Sequence, residues 1–150
     1  MPDTPANDWC EILHHAIRPA PAIEFVTDPT AGGIAVFLGT TRAETHPTDD
    51  SKQLLALDYE AYDTLATRQL HDLADRARKQ WPMILRLAVL HCTGRVAPGE
   101  PSVCIAVSTP HRAEAFEACR WLIDSLKAEV AVWKKEIWAD GTGTWVDPAH

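Results

Sequence analysis

One stretch of the chain constrains the fold more than any other. Leu65, Ala66, Gln69, Leu70, Leu73, Ala74 and Ala77 recur at helical spacing, while Arg68, Asp72, Asp75, Arg76 and Lys79 fill the opposite face. This pattern predicts an amphipathic helix that stops near Trp81-Pro82, because proline cannot continue the hydrogen-bond ladder. A helix with one apolar stripe must bury it against another element. Ala115, Phe116, Cys119, Leu122, Ile123 and Leu126 form a second stripe. Its helix is expected to begin after Thr109-Pro110, with threonine as the N-cap and proline in the first helical position. Residues 34–38, 85–91, 102–108 and 130–137 read as strands, and residues 54–62 alternate well enough for another. Breakers Gly94, Pro98 and Gly99 separate the two central strands. Strands joined partly by short turns, without a regular βαβ alternation, indicate an α+β fold rather than a doubly wound sheet.

The remaining segments are expected as follows. Residues 9–17 are mostly apolar and read as a strand ending before Arg18-Pro19. Pro19 and Pro21 stand where a short helix over residues 22–26 could begin. Residues 41–52 (TRAETHPTDDSK) are polar, contain Pro47 and two adjacent aspartates, and read as a mobile loop. Residues 141–146 read as a turn and a short strand. At 150 residues the chain matches one domain, residues 1–150, able to bury a core without staples.

Composition excludes several classes of function. Apolar residues make up 46% and charged residues 23%, so wholesale disorder is excluded. Lys and Arg number 14 against 21 for Asp and Glu, a formal charge of −7, which argues against general nucleic-acid binding. A local cationic pocket for a small anion remains compatible with that balance. No apolar run approaches the ~20 residues needed to span a bilayer. The start, MPDTPANDWCEI, lacks the basic and apolar regions of a secretory signal. A cytoplasmic protein without membrane association is expected. Cys10, Cys92, Cys104 and Cys119 show no CxxC spacing, so reduced, buried thiols are expected and no metal site is indicated.

Candidate chemistry lies in a few cations. His111 and Arg112 stand at the first turn of the second helix, where the macrodipole already favours anions. The pair reads either as a cradle for an anion or as a solvated surface pair. Lys127 closes the same helix, a dipole-matched position that by itself is structural. Lys134 and Lys135 follow in a strand and point to opposite faces, so only one can share a cleft with Lys127. Arg42 follows the 34–38 strand, where a ligand contact or a solvated side chain would both be ordinary. Trp81, Trp121 and Trp133 are expected in the core, and Trp138 and Trp145 on a surface able to meet a partner.

Read in order, several of these pieces together resemble the catalytic (large) subunit of molybdopterin synthase. They are Phe37-Leu38-Gly39-Thr40-Thr41-Arg42, Leu57-Asp58-Tyr59-Glu60-Ala61-Tyr62, Ala106-Val107-Ser108-Thr109-Pro110-His111-Arg112 with Ala115-Phe116, and Ile123-Asp124-Ser125-Leu126-Lys127 running to Trp133-Lys134-Lys135-Glu136. Asp140-Gly141 and Trp145-Val146 complete the set. The resemblance implies an α+β, hammerhead-like fold with a mostly antiparallel sheet and two main amphipathic helices. It implies conversion of a cyclic pyranopterin monophosphate (precursor Z) to molybdopterin. The sulfur comes from a small ubiquitin-like partner whose C-terminal Gly-Gly carries a thiocarboxylate and threads into a pocket. It also implies a homodimer core within a heterotetramer. By the resemblance, Lys127 and Lys134 are catalytic, while Arg42, His111 and Arg112 bind substrate; no metal or cofactor is expected at this step.

The chain departs from that family's pattern twice. His91-Cys92 stands where His-Arg is usual, which removes any role for an arginine there. Ala131 stands where proline is frequent, a change expected to loosen the approach to Lys134. A non-catalytic docking module for a Gly-Gly tail would keep the fold but not the cations. An unrelated anion-binding α+β domain would account for the cationic helix start but not for the paired lysines.

Overall fold

The structure is a computed structural model that describes residues 7–146. The expected single domain over residues 1–150, and the reading of the first six residues, extend beyond the described part. Nine strands and three helices follow in the order β1 (Asp8–Leu13), α1 (Pro19–Val26), β2 (Gly33–Thr40), β3 (Thr45–His46), β4 (Asp49–Ala61), α2 (Asp63–Gln80), β5 (Arg86–Cys92), β6 (Gly94–Val96), β7 (Pro101–Thr109), α3 (Arg112–Glu129), β8 (Val132–Trp138) and β9 (Gly143–Trp145). The α+β class and the largely antiparallel pairing agree with the sequence reading. Among the described residues the one parallel pair is β1 with β5.

Two sheets result. The first runs β1-β5-β7-β2; the second runs β3-β4-β8-β9, with β6 also on β4. In the first sheet the alternation of side chains divides two apolar layers. Leu87, Val89, Val103, Ile105 and Val107 face α2 and α3, where they meet Leu70, Leu73, Leu122 and Leu126. Ala88, Leu90, Cys104 and Ala106 face the other way, onto Ala22 and Val26 of α1. Both faces are covered, which is why β5 and β7 read as unbroken apolar runs instead of alternating ones.

Several expectations need correction. The segment expected as a mobile loop, residues 41–52, contains β3 and the start of β4, paired through His46 opposite Asp49. Local side chains close that hairpin. The Thr48 amide donates to His46 Nδ1 at 3.1 Å, and Asp49 Oδ1 accepts from the Ser51 amide at 3.0 Å. Lys52 then pairs with Asp140 at 3.1 Å. The strand expected over residues 9–17 ends at Leu13. The N-terminus of α3 also differs: His111 is the N-cap and Arg112 the first helical residue, with Thr109 and Pro110 outside. Thr109 still belongs to β7, in register with Gly33, and its hydroxyl donates to the His111 carbonyl at 2.5 Å, which leaves the N-cap to His111 with no side-chain hydrogen bond to the first turn. Trp138 is buried at 2% exposure, edge-on to His46 at 4.7 Å, and so is removed from any partner surface. Trp145 is exposed as expected. Trp81 and Trp121 meet edge-to-face at 6.0 Å on the margin of the larger core, and Trp133 is likewise only partly buried.

Candidate active site

A cavity of about 690 Å³ opens where the ends of the two sheets meet the last turn of α3. That volume lies in the range of small-molecule sites, ~300–1,000 Å³. Its walls come from β2 and the Thr41-Arg42 turn, from Leu57 and Tyr59 of β4, from His91 and Ser102, and from the α3–β8 connection. Three of the five residues singled out from the sequence border it: Arg42, Lys127 and Lys134.

The register explains which lysine enters. In the antiparallel pair of β4 with β8, Lys134 lies opposite Tyr59, Glu136 opposite Leu57, and Lys135 opposite Asp58. Opposed residues share a face and neighbours alternate. Lys134, Glu136, Tyr59 and Leu57 therefore border the cavity together. Lys135 points away and lies 5.6 Å from the Trp145 ring centroid. Asp58, on the face of Lys135, is held below the usual carboxylate range chiefly by its hydrogen bonds from Arg95. Lys127 reaches the cavity from the last turn of α3, whose end is stopped at Val130 by a return to extended backbone (φ −83°, ψ 137°). Among the described residues no carboxylate pairs with Lys127 or Lys134, so neither ammonium is held in an ion pair there. Arg42 is 84% exposed along its side chain and donates to Glu44 Oε1 at 2.9 Å, a partner an anionic ligand would have to displace.

His111 and Arg112 are exposed and do not border the cavity. Arg112 lies 15 residues before Lys127 on the same helix, and His111 is its N-cap. At 1.5 Å per residue that is ~22 Å. Two glycines fix this end of α3 against β2. A Cβ on Gly32 would collide with the Pro110 carbonyl oxygen, and one on Gly33 would lie 2.9 Å from Arg112 Cα.

Residue-by-residue sequence reasoning passed over the polar floor of the cavity. His91 is 5% exposed and Ser102 also 5%, in strands that are otherwise apolar. Tyr59 meets the His91 ring edge-on at 5.0 Å, and its hydroxyl is hydrogen-bonded with Ser102. His91 Nδ1 donates to the Cys92 carbonyl at 2.8 Å. Burial, reinforced by the nearby Lys127 ammonium, pushes the imidazole pKa down to about 4. A lone histidine ending an apolar run was the only available signal. The four cysteines are free and buried. Burial lifts Cys10 to about 12 and Cys104 and Cys119 to about 11, so none is a poised nucleophile.

The second departure from the family pattern has a structural counterpart. The amide of Ala131 donates to Gln69 Oε1 of α2 at 2.7 Å, a bond proline could not make. The connection leading to Lys134 is thus tied rather than loosened.

A family model described as MoaE protein matches residues 12–129. The molybdopterin synthase catalytic subunit of Thermoplasma volcanium is 43% identical over 139 residues, 93% of this chain and 98% of that protein. The Arabidopsis thaliana protein of the same name is 46% identical over 133 residues, 87% of this chain and 65% of that one. The crystal structure of molybdopterin synthase from Staphylococcus aureus superposes with a TM-score of 0.84 at 33% identity, covering 92% of this chain and 96% of that chain. A match along most of the sequence, on the same fold, places this chain in the MoaE protein family.

Proposed function

We propose that this chain is the catalytic subunit of a molybdopterin synthase, transferring sulfur to a cyclic pyranopterin monophosphate from the C-terminal thiocarboxylate of a small ubiquitin-like partner. The observation that carries the reading is the convergence of Lys127, Lys134 and Arg42 on one cavity. The guanidinium of Arg42 suits the substrate phosphate. Lys127 and Lys134 flank the thiocarboxylate and stabilise the oxyanion and thiolate that develop as sulfur leaves the acyl carbon. An extended Gly-Gly tail has no side chains to obstruct a narrow entrance. Among the described residues no helix is long and apolar enough to cross a membrane.

The finer reading is that each site uses two copies of the chain. A pyranopterin monophosphate is on the order of 10 Å long, too short to bridge the ~22 Å of helix between Arg112 and Lys127. Strand β2 lies at the end of its sheet, with Ile34 and Val36 exposed on it at 39% and 41%. A long apolar edge is a template for pairing. One end of β2 packs on Arg112, and its other end, Leu38 to Thr40, borders the cavity. Antiparallel pairing of β2 with its copy about a twofold axis would set His111 and Arg112 of one protomer beside the cavity of the other. The assembly is then a homodimer with one small subunit at each outer end.

The test is direct. Purified protein is mixed with the thiocarboxylated small partner and precursor Z, and molybdopterin is measured. Turnover is expected. Tight partner binding with no product from intact precursor would instead identify a docking module without chemistry.

A further inference from the structure

We propose that His91 is a positioning residue for sulfur transfer: it borders the same cavity as Lys127, no hydrogen bond joins the two in this structure, and the imidazole Nε2 becomes the acceptor that aims the Lys127 amine when the site is occupied. The inference rests on the synthase reading above and adds a residue to it.

A histidine at 5% exposure in the floor of a cavity is costly unless its polar atoms are used. One of them has a clear use. The Cys92 carbonyl can only accept, so Nδ1, at 2.8 Å from it, carries the proton. That bond fixes the tautomer: Nε2 carries a lone pair and no hydrogen. The ring is also held in orientation by the edge of Tyr59 at 5.0 Å, and Tyr59 in turn by Ser102. His91, Tyr59, Ser102 and Lys127 all border the same cavity. An ammonium group has three donors and no acceptor, and no carboxylate engages Lys127 among the described residues. A neutral acceptor suits this place better than a carboxylate. It orients the lysine without forming an ion pair that would blunt its charge toward the substrate. The lysine sits on a flexible four-carbon stem, so fixing its terminal nitrogen matters for a step that depends on alignment.

Three variants in the full complex with the thiocarboxylated partner separate positioning from mere structure. His91→Gln can place an oxygen near the position of Nε2. His91→Asn can replace Nδ1 and keep the bond to Cys92, but does not reach Lys127. His91→Leu keeps neither. Single-turnover rates of molybdopterin formation, KM for precursor Z and thermal midpoints are measured for each. The inference expects His91→Gln to retain most of the rate. It expects His91→Asn and His91→Leu to lose about 10–100-fold with little change in KM, the size of one charge-assisted hydrogen bond. A structural role predicts the reverse order, with Asn at least as active as Gln and activity following the thermal midpoint. Either that order, or a full rate in His91→Leu, overturns the assignment. A wild-type complex that makes no molybdopterin would overturn the synthase reading itself, which is a different outcome from an active wild type indifferent to residue 91.

Discussion

The connection between α3 and β8 separates the two lysines of the site by only a short span, and the Ala131–Gln69 bond ties it to α2 beside the Tyr62 amide, which donates to the Ala131 carbonyl at 3.3 Å. Ala131→Pro removes the donor of that bond. A net contribution of ~0.5–1.5 kcal/mol is lost with it. The preceding residue suits the change: Val130 at ψ 137° already has the extended conformation required before proline. Restriction of the unfolded chain returns ~0.4–1 kcal/mol where the conformation fits. The two effects nearly cancel, so Ala131→Pro alone is expected to change stability by less than ~1 kcal/mol. The coupling is more informative than either single change. Gln69→Ala in the natural background leaves the Ala131 amide half-buried and unpaired, at a cost of ~1–3 kcal/mol. In the Ala131→Pro background there is no amide hydrogen to orphan, and alanine is a good helix former, so the same change is expected to cost almost nothing. Urea denaturation of the four proteins, at constant m-value, reads the coupling. Equal costs of Gln69→Ala in the two backgrounds would refute the claim that this bond holds the joint.

Lys127→Ala is expected to abolish molybdopterin formation and Lys134→Ala to reduce it strongly, while partner binding and the thermal midpoint stay near normal, because truncating a largely solvated lysine changes stability by only ~0.5 kcal/mol. Near-normal turnover by the first variant would remove Lys127 from the site. Stability should also respond to His91: its folded pKa of about 4 lies below the ordinary 6.5, so between those values the unfolded chain takes up a proton that the folded chain does not. Stability is therefore full above pH 6.5 and falls as pH drops through that window, by on the order of 3 kcal/mol, a loss that His91→Gln should largely remove in denaturation curves at pH 4.5 and 7.

Helices were the most legible part of the sequence. The Leu65-to-Ala77 stripe gave α2 almost to the residue, since its buried face is set by local spacing. The start of α3 was misplaced because Thr109 has a competing commitment to the sheet, which spacing alone does not reveal. The hairpin at residues 45–53 was hidden by its polarity: it is closed by Asp49, His46 and Thr48 side chains rather than by apolar packing. Of the site, strand alternation showed that Lys134 and Lys135 must part, and the register shows which one enters. What spacing could not show was His91. Its function depends on Tyr59, Ser102 and Lys127, which arrive from β4, β7 and α3.

The two ends of α3 pose the sharpest remaining question. Lys127 is in the cavity and Arg112 is not, yet both belong to the set of cations that marks the family resemblance. Pairing of β2 edges across a twofold axis, as proposed above, would resolve this, because the eight residues of β2 span a length close to that of the helix between the two cations. One copy's Gly33 end then meets the other's Thr40 end. The prediction is complementation. Arg112→Ala and Lys127→Ala are each expected to be inactive as homodimers. When the two are mixed and allowed to exchange, a mixed dimer contains one site damaged twice and one with both residues intact. Random exchange makes half of the dimers mixed, and each of these carries one working site of two, so about a quarter of the wild-type rate should return. Adding Val36→Lys to both partners should abolish the recovery, by placing like charges along the shared edge. A mixture that stays inactive although exchange is demonstrated by mass spectrometry would mean that each site is built within one chain and that His111 and Arg112 serve elsewhere.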